Sequence, residues 1–202
     1  MSTVTISDTP FVGNDRLLVG IVLSVLTFWL FAQSVINVVP AMKSSLDISL
    51  ETLTLAVSLS ALFSGCFVVA SGGLADKFGR MRMTTLGLGL SIVGSAMLVV
   101  AQGPGLFLAG RVLQGLSAAC IMPATLALIK TWYEGRARQR AVSFWVIGSW
   151  GGSGLCSFVG GAIATGLGWR WIFVFSIAVA LLALFLLRGT PESRSASASQ
   201  HK

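Results

Sequence analysis

The chain has 202 residues, of which 54% are hydrophobic and only 10% charged, against about 25% charged in an ordinary soluble domain. Water is thereby excluded as its main solvent, and the formal charge of +7 does not point to nucleic acid, because the 14 lysines and arginines fall between apolar runs and form no basic face. There are no paired carboxylates, no nucleophile with a base, no phosphate-cradling loop and no metal-ligand spacing, so an enzyme, a cofactor and a metal site all lack residues to carry them.

The first stretch, residues 1–16, is polar with two acids and lacks the basic start of a secretory signal, so it reads as a tail ahead of the first span. Six apolar runs follow at 17–39, 52–74, 84–102, 106–130, 141–164 and 170–188, each of the length that crosses about 30 Å of hydrocarbon. The expected fold is an all-α membrane protein, a six-helix bundle over 17–188, closed by a Ser-rich disordered tail over 189–202 that holds the single histidine, His201. Cys66, Cys120 and Cys156 lie in separate runs and read as small packing residues, not as a disulfide framework. Trp132, Trp169 and Trp171 stand at the ends of runs, where tryptophan anchors to the membrane interface.

Basic residues cluster in alternate links. Placing the N-terminus in the cytoplasm puts Arg16, Lys77, Arg80, Arg82, Lys130, Arg136, Arg138, Arg140 and Arg188 inside with Arg194 and Lys202, and leaves Lys43 and Arg170 outside. Both termini are therefore expected in the cytoplasm, with the lipid bilayer as the principal partner.

Polar side chains inside the runs are the candidate functional residues. Helix 1 carries Gln33 and Asn37. The link after helix 2, "SGGLADKFGRMRMT", sets Asp76 where it can cap helix 3 or pair with Arg80 or Arg82, among turn-forming Gly72, Gly73 and Gly79. Helix 4 places Arg111 and Gln114 one turn apart, and Arg111 is the one charged side chain well inside a run. Such a cation faces a cavity or a polar partner, or else snorkels to the interface. Helix 5 repeats small residues at Gly148, Gly152, Cys156 and Gly160, followed by Gly161, a seam on which another helix can pack closely. Its Trp145 and Trp150 offer aromatic faces to flat or cationic drugs, or else pack against helices and lipid.

The series Gly72-x-Leu74-Ala75-Asp76-Lys77-x-Gly79-Arg80 resembles the signature between helices 2 and 3 of the major facilitator superfamily. Together with "RVLQGLSAACIMPATLALIK", "SWGGSGLCSFVGG" and "GWRWIFVFSIAVALLALFLLRGTPES", it makes the chain up to about Glu192 similar to the N-terminal half of that superfamily's drug:proton antiporters, the quinolone-resistance efflux pumps among them. The resemblance implies multidrug export, with fluoroquinolones as substrates and the proton as coupling ion, in a bacterial inner membrane. It makes Gly72, Asp76, Lys77, Gly79 and Arg80 a conformational latch. It gives Arg111 a part in proton coupling, with Gln114, Gln33 and Asn37 lining a cavity.

The chain departs from the pattern at four places. Met81 replaces a second base, Thr84 an aliphatic, Cys156-Ser157 a Gly-Pro pair, and Phe31 to Gln33 contain no acid. Such pumps have about twelve helices or more in two six-helix bundles, so this chain is expected to be a truncation, or to work with a second half or a second copy of itself. The rival reading is a non-transporting six-helix subunit.

Overall fold

The computed structural model describes residues 11–46 and 48–194, apart from the side chains at 31, 33–37 and 44. The expectations for His201, Gln33 and Asn37 thus lie outside the described residues. Among the described residues six helices follow one another: α1 Asp15–Leu46, α2 Leu50–Phe78, α3 Arg80–Val100, α4 Pro104–Trp132, α5 Gly135–Leu167 and α6 Arg170–Leu187. Helices α2 to α6 are each long and apolar enough to cross a membrane. Helix α1, with 32 residues, rises about 48 Å at 1.5 Å per residue. The helices overrun the apolar runs because hydropathy marks only what hydrocarbon must cover. The ends continue into polar residues wherever caps satisfy the terminal backbone groups.

Those caps come from the polar residues between the runs. Asn14 Oδ1 accepts from Leu17 N at 2.8 Å to start α1, and Ser49 Oγ accepts from Thr52 N at 3.2 Å to start α2. Carbonyl ends are capped by arginines reaching across from other segments, as a helix C-terminus favours. Arg16 donates to Phe185 O, Arg138 to Tyr133 O and Lys130 O, and Arg170 to Val99 O and Ala101 O, all within 2.7–3.1 Å.

Successive helices run in opposite directions, which gathers their ends into two apolar clusters. One holds Met42, Leu53, Leu98, Phe107, Trp169 and Phe173, from the ends joined by the first, third and fifth links. The other holds Leu17, Ile21, Leu88, Leu128, Tyr133 and Leu187, at the end that carries the basic links. Helices α1 and α4 occupy the middle: α4 packs on α2 and α3, and α1 packs on α5 and α6.

Two expectations need correction, and one helix carries an irregularity that no expectation covered. Trp169 is not an interfacial anchor: it is only 5% exposed, donates to Ser45 Oγ at 2.8 Å, and has the Arg170 guanidinium stacked 4.4 Å from its ring. Helix α5 is not uniform, because Ile147–Gly151 forms a π-helical turn. The tail is not disordered from residue 189, for Glu192 and Ser193 dock on the start of α3. Glu192 Oε1 accepts from Met81 N at 2.9 Å, Oε2 accepts from Arg82 N at 3.0 Å, and Ser193 O accepts from Arg80 N at 3.0 Å. A carboxylate at a helix N-terminus meets both orphan N–H groups and the positive end of the dipole, and composition alone could not show that this acid has such a target.

Candidate functional site

The buried site is built on the close approach of helices. A Cβ added at Gly94 of α3 would lie 2.9 Å from Gly110 O of α4, and one at Gly110 would lie 3.0 Å from Gly94 O. At Gly115 a Cβ would run into the Ser60 carbonyl of α2. Glycine is required at these contacts, and it draws three backbones together around the next side chain along, Arg111.

Arg111 is fully buried, which removes the snorkelling alternative. Its Nε donates to Ala56 O at 3.2 Å, one terminal nitrogen to Gln114 Oε1 at 2.8 Å and the other to Ser60 Oγ at 2.7 Å. Gln114 Nε2 in turn donates to Ser95 Oγ at 3.1 Å. One guanidinium thus ties α4 to α2 directly and to α3 through Gln114. These described partners are neutral oxygens, which hold the cation through charge-assisted hydrogen bonds to dipoles. Sequence reading found Arg111 and Gln114 but missed Ser60, Ser95 and the Ala56 carbonyl. Small hydroxyl residues inside apolar runs were the available signal.

The second group lies between α2 and α3. Asp76 Oδ1 accepts from Arg80 Nε at 3.2 Å and from its terminal nitrogen at 2.9 Å. The other terminal nitrogen of Arg80 donates to Thr131 Oγ1 at the end of α4. Gly79, with φ of 124°, makes the reversal between the helices, a conformation that a residue with Cβ rarely adopts. Lys77 Nζ sits 5.5 Å from the Phe78 ring centroid. Gly72 faces α4, where an added Cβ would lie 3.6 Å from Pro123 Cβ. The docked Glu192 carboxylate lies against Gly79 and pairs with Arg82 at 3.7 Å.

The remaining candidates separate. On α5, an added Cβ at Gly148 would lie 3.3 Å from Val22, and one at Gly152 2.7 Å from Leu26 and 3.1 Å from Trp29. Cys156 Sγ donates to Leu26 O at 3.9 Å, so this face lies on α1. Gly160 is buried, whereas Gly161 has open space where a side chain would be. Trp145 donates from Nε1 to Thr125 Oγ1 at 3.1 Å and is thereby held between α5 and α4. Trp150, on the π-helical turn, is 75% exposed.

A multi-pass bundle with a buried arginine bridging three helices and a charged reversal after the second helix defines half of a membrane transporter fold. The chain belongs to the Major Facilitator Superfamily, whose family model matches residues 17–202. It is 60% identical over 196 residues to "Quinolone resistance protein NorB" of Staphylococcus aureus strain JH9, and equally to that of strain Newman. The alignments cover 97% of this chain and 42% of those relatives, so the chain spans less than half of their length. Among solved structures, the proton:xylose symporter XylE bound to 6-bromo-6-deoxy-D-glucose superposes with a TM-score of 0.77 at 18% identity, over 88% of this chain and 45% of that one. The peptide transporter POT in complex with sulfate gives 0.75 at 17% identity, over 87% and 37%. At such identities the structural likeness speaks to the fold alone.

Proposed function

We propose that this chain supplies the N-terminal six-helix half of a proton-coupled multidrug exporter whose substrates include fluoroquinolones. The observation that carries the reading is the 60% identity, over 97% of the chain, to proteins named for quinolone resistance. In this reading the protein lies in a bacterial inner membrane with both termini in the cytoplasm. Its transport cavity forms near the bilayer midplane against a second six-helix bundle, supplied by another chain or by a second copy.

The Arg111 guanidinium stays charged in the protein, so its part in coupling is electrostatic. It lowers the proton affinity of a carboxylate that comes close during the cycle, and it is the position of that acid, not of the arginine's own proton, that changes with state. Asp76 and Arg80 hold the reversal after α2 to α4 through Thr131 and release it as the bundles rock. Gln33 and Asn37 of α1 keep the cavity-lining role that the resemblance gives them. Trp145 is committed to α4, which leaves the exposed Trp150 as the aromatic contact for a planar drug.

The test is reconstitution. Cells carrying the chain with the C-terminal half of a full-length relative are expected to exclude a fluorescent dye in an uncoupler-sensitive way, and Arg111→Ala is expected to abolish exclusion normalised to membrane abundance. Cells carrying the chain alone are expected to exclude none where another chain supplies the second bundle, and exclusion from this chain by itself would show that a second copy supplies it. No dye exclusion from the paired halves would reject the reading.

A further inference from the structure

Two cavities that meet at Leu23 form a crevice along α1, the outer one against α5 at the basic end of the bundle and the inner one between α5 and α6. Its outer part, a cavity of about 280 Å³, is lined by Leu18, Val22, Leu23 and Phe144, with Asp15 and Arg140 at its mouth. Its inner part, about 170 Å³, shares Leu23 and continues past Leu26 and Leu30 with no polar surface. From Leu18 to Leu30 the stripe climbs about 18 Å at 1.5 Å per residue, close to the roughly 15 Å depth of one leaflet's hydrocarbon. Arg140 is held over the mouth by Phe144, 5.7 Å from its ring centroid. The guanidinium is 58% exposed and pairs at 3.2 Å with Asp15, itself 75% exposed.

We propose that this crevice is a binding site for an anionic phospholipid, one acyl chain lying along α1 and the phosphate seated on Arg140. Three observations converge: a wall that is apolar throughout its inner part, a length that matches one leaflet, and a cation at the end where a headgroup lies. Charge decides between amphiphiles. A cationic one would need to displace Arg140 from Asp15 at an end that also carries Arg16, Arg136, Arg138 and Lys130. An anionic one is drawn to that end, where bases outnumber the acids Asp15, Asp76, Glu134 and Glu192, and at the mouth itself it competes with the Asp15 carboxylate. The lining contains neither Arg111 nor its partners Ala56, Ser60 and Gln114, so the proposal does not depend on the coupling role given to Arg111.

The chain, purified in mild detergent, is mixed with phosphatidylglycerol or phosphatidylcholine of identical acyl chains, and bound lipid is measured by native mass spectrometry. A basic residue near a membrane surface contributes about 1 kcal/mol toward an anionic lipid, so phosphatidylglycerol is expected to exceed phosphatidylcholine by about fivefold. Arg140→Gln is expected to erase that excess, and Leu23→Trp, which fills the shared wall, to reduce retention of both lipids. Asp15→Asn is expected to increase phosphatidylglycerol retention, because it removes the competing carboxylate. A merely structural Asp15–Arg140 pair predicts the opposite, a loss in both charge variants. Equal retention of the two lipids, an excess that survives Arg140→Gln, a fall with Asp15→Asn, or displacement of lipid by free glycerol phosphate at similar concentration overturns the proposal.

Discussion

Arg111 is held at several atoms at once, and its geometry makes a sharper demand than its charge. A lysine keeps the charge but offers a single ammonium, which cannot span Ala56 O, Ser60 Oγ and Gln114 Oε1 together. Arg111→Lys is therefore expected to destabilise the bundle by about 1–3 kcal/mol, the cost of leaving buried polar groups unsatisfied, read as a lower thermal midpoint in detergent. Gln114→Leu is expected to fall in the same range, since it removes one acceptor of the guanidinium and the donor to Ser95 Oγ. At the opposite end Tyr133 donates to Asn14 O at 2.6 Å, and burial first, then the Asp15 carboxylate, pushes its phenol up to about 12. A raised acid pKa favours the folded state while the phenol is neutral. The stabilisation is complete below the unfolded value near 10 and disappears as pH rises to about 12. The stability difference between the wild type and Tyr133→Phe is expected to be constant up to about pH 10 and to shrink or reverse above it. Sequence pointed to Arg111 because a charge in an apolar run is conspicuous. It could not point to the Tyr133 phenol, whose partner is a backbone carbonyl 119 residues away.

Helix existence and order were legible because a run of twenty apolar residues has few other uses. Helix contacts were not. With 23 glycines in the chain, four-residue spacing of small residues arises on several faces, and the α5 series stood out from sequence while the crossings at which a glycine meets a neighbouring helix's backbone carbonyl lie at Gly87, Gly94, Gly110 and Gly115. Spacing gives a face, but only the partner's shape decides which face another backbone meets. Gly94→Val is expected to force α3 from α4 and cost about 1–3 kcal/mol. Gly89→Ala, with nothing within 4 Å of the new methyl, is expected to be neutral or to stabilise by up to about 1 kcal/mol through helix propensity. Thermal unfolding of the two variants in one detergent compares them directly. The π-helical turn was illegible for a different reason: no proline marks it, and one extra residue per turn leaves the composition of Ile147–Gly151 unchanged. It stands just before the position where the resemblance would have placed a Gly-Pro bend, so α5 acquires an irregularity by another route.

Across the whole molecule, lysine and arginine gather at one end and the opposite end keeps Lys43 and Arg170, the latter occupied in capping α3. In a background lacking Cys66, Cys120 and Cys156, a cysteine at Arg82 is expected to be protected in intact cells from a membrane-impermeant thiol reagent, and one at Glu51 to react; the reverse pattern would overturn the proposed orientation. Alternation of charge made this legible from sequence. The return of Glu192 to α3 was not, since a Ser-rich segment with one acid looks the same whether it is solvated or docked.

That return also constrains the order in which the bundle can be completed during synthesis. The first turn of α3 is made some 110 residues before the carboxylate that satisfies it, so a chain emerging from the ribosome inserts α2 and α3 with an open N–H cluster at their reversal. Only when α6 has crossed the membrane and its exit has emerged can Glu192 close the first turn of α3. The exit of α6 and the α2–α3 reversal are then fastened in a single step. The capped reversal thus acts as a record that all six helices are in place. Glu192→Gln, which keeps the shape and removes the charge, is expected to leave insertion intact but to expose the reversal to proteolysis in inverted vesicles, at a rate close to that of a chain stopped after Arg188.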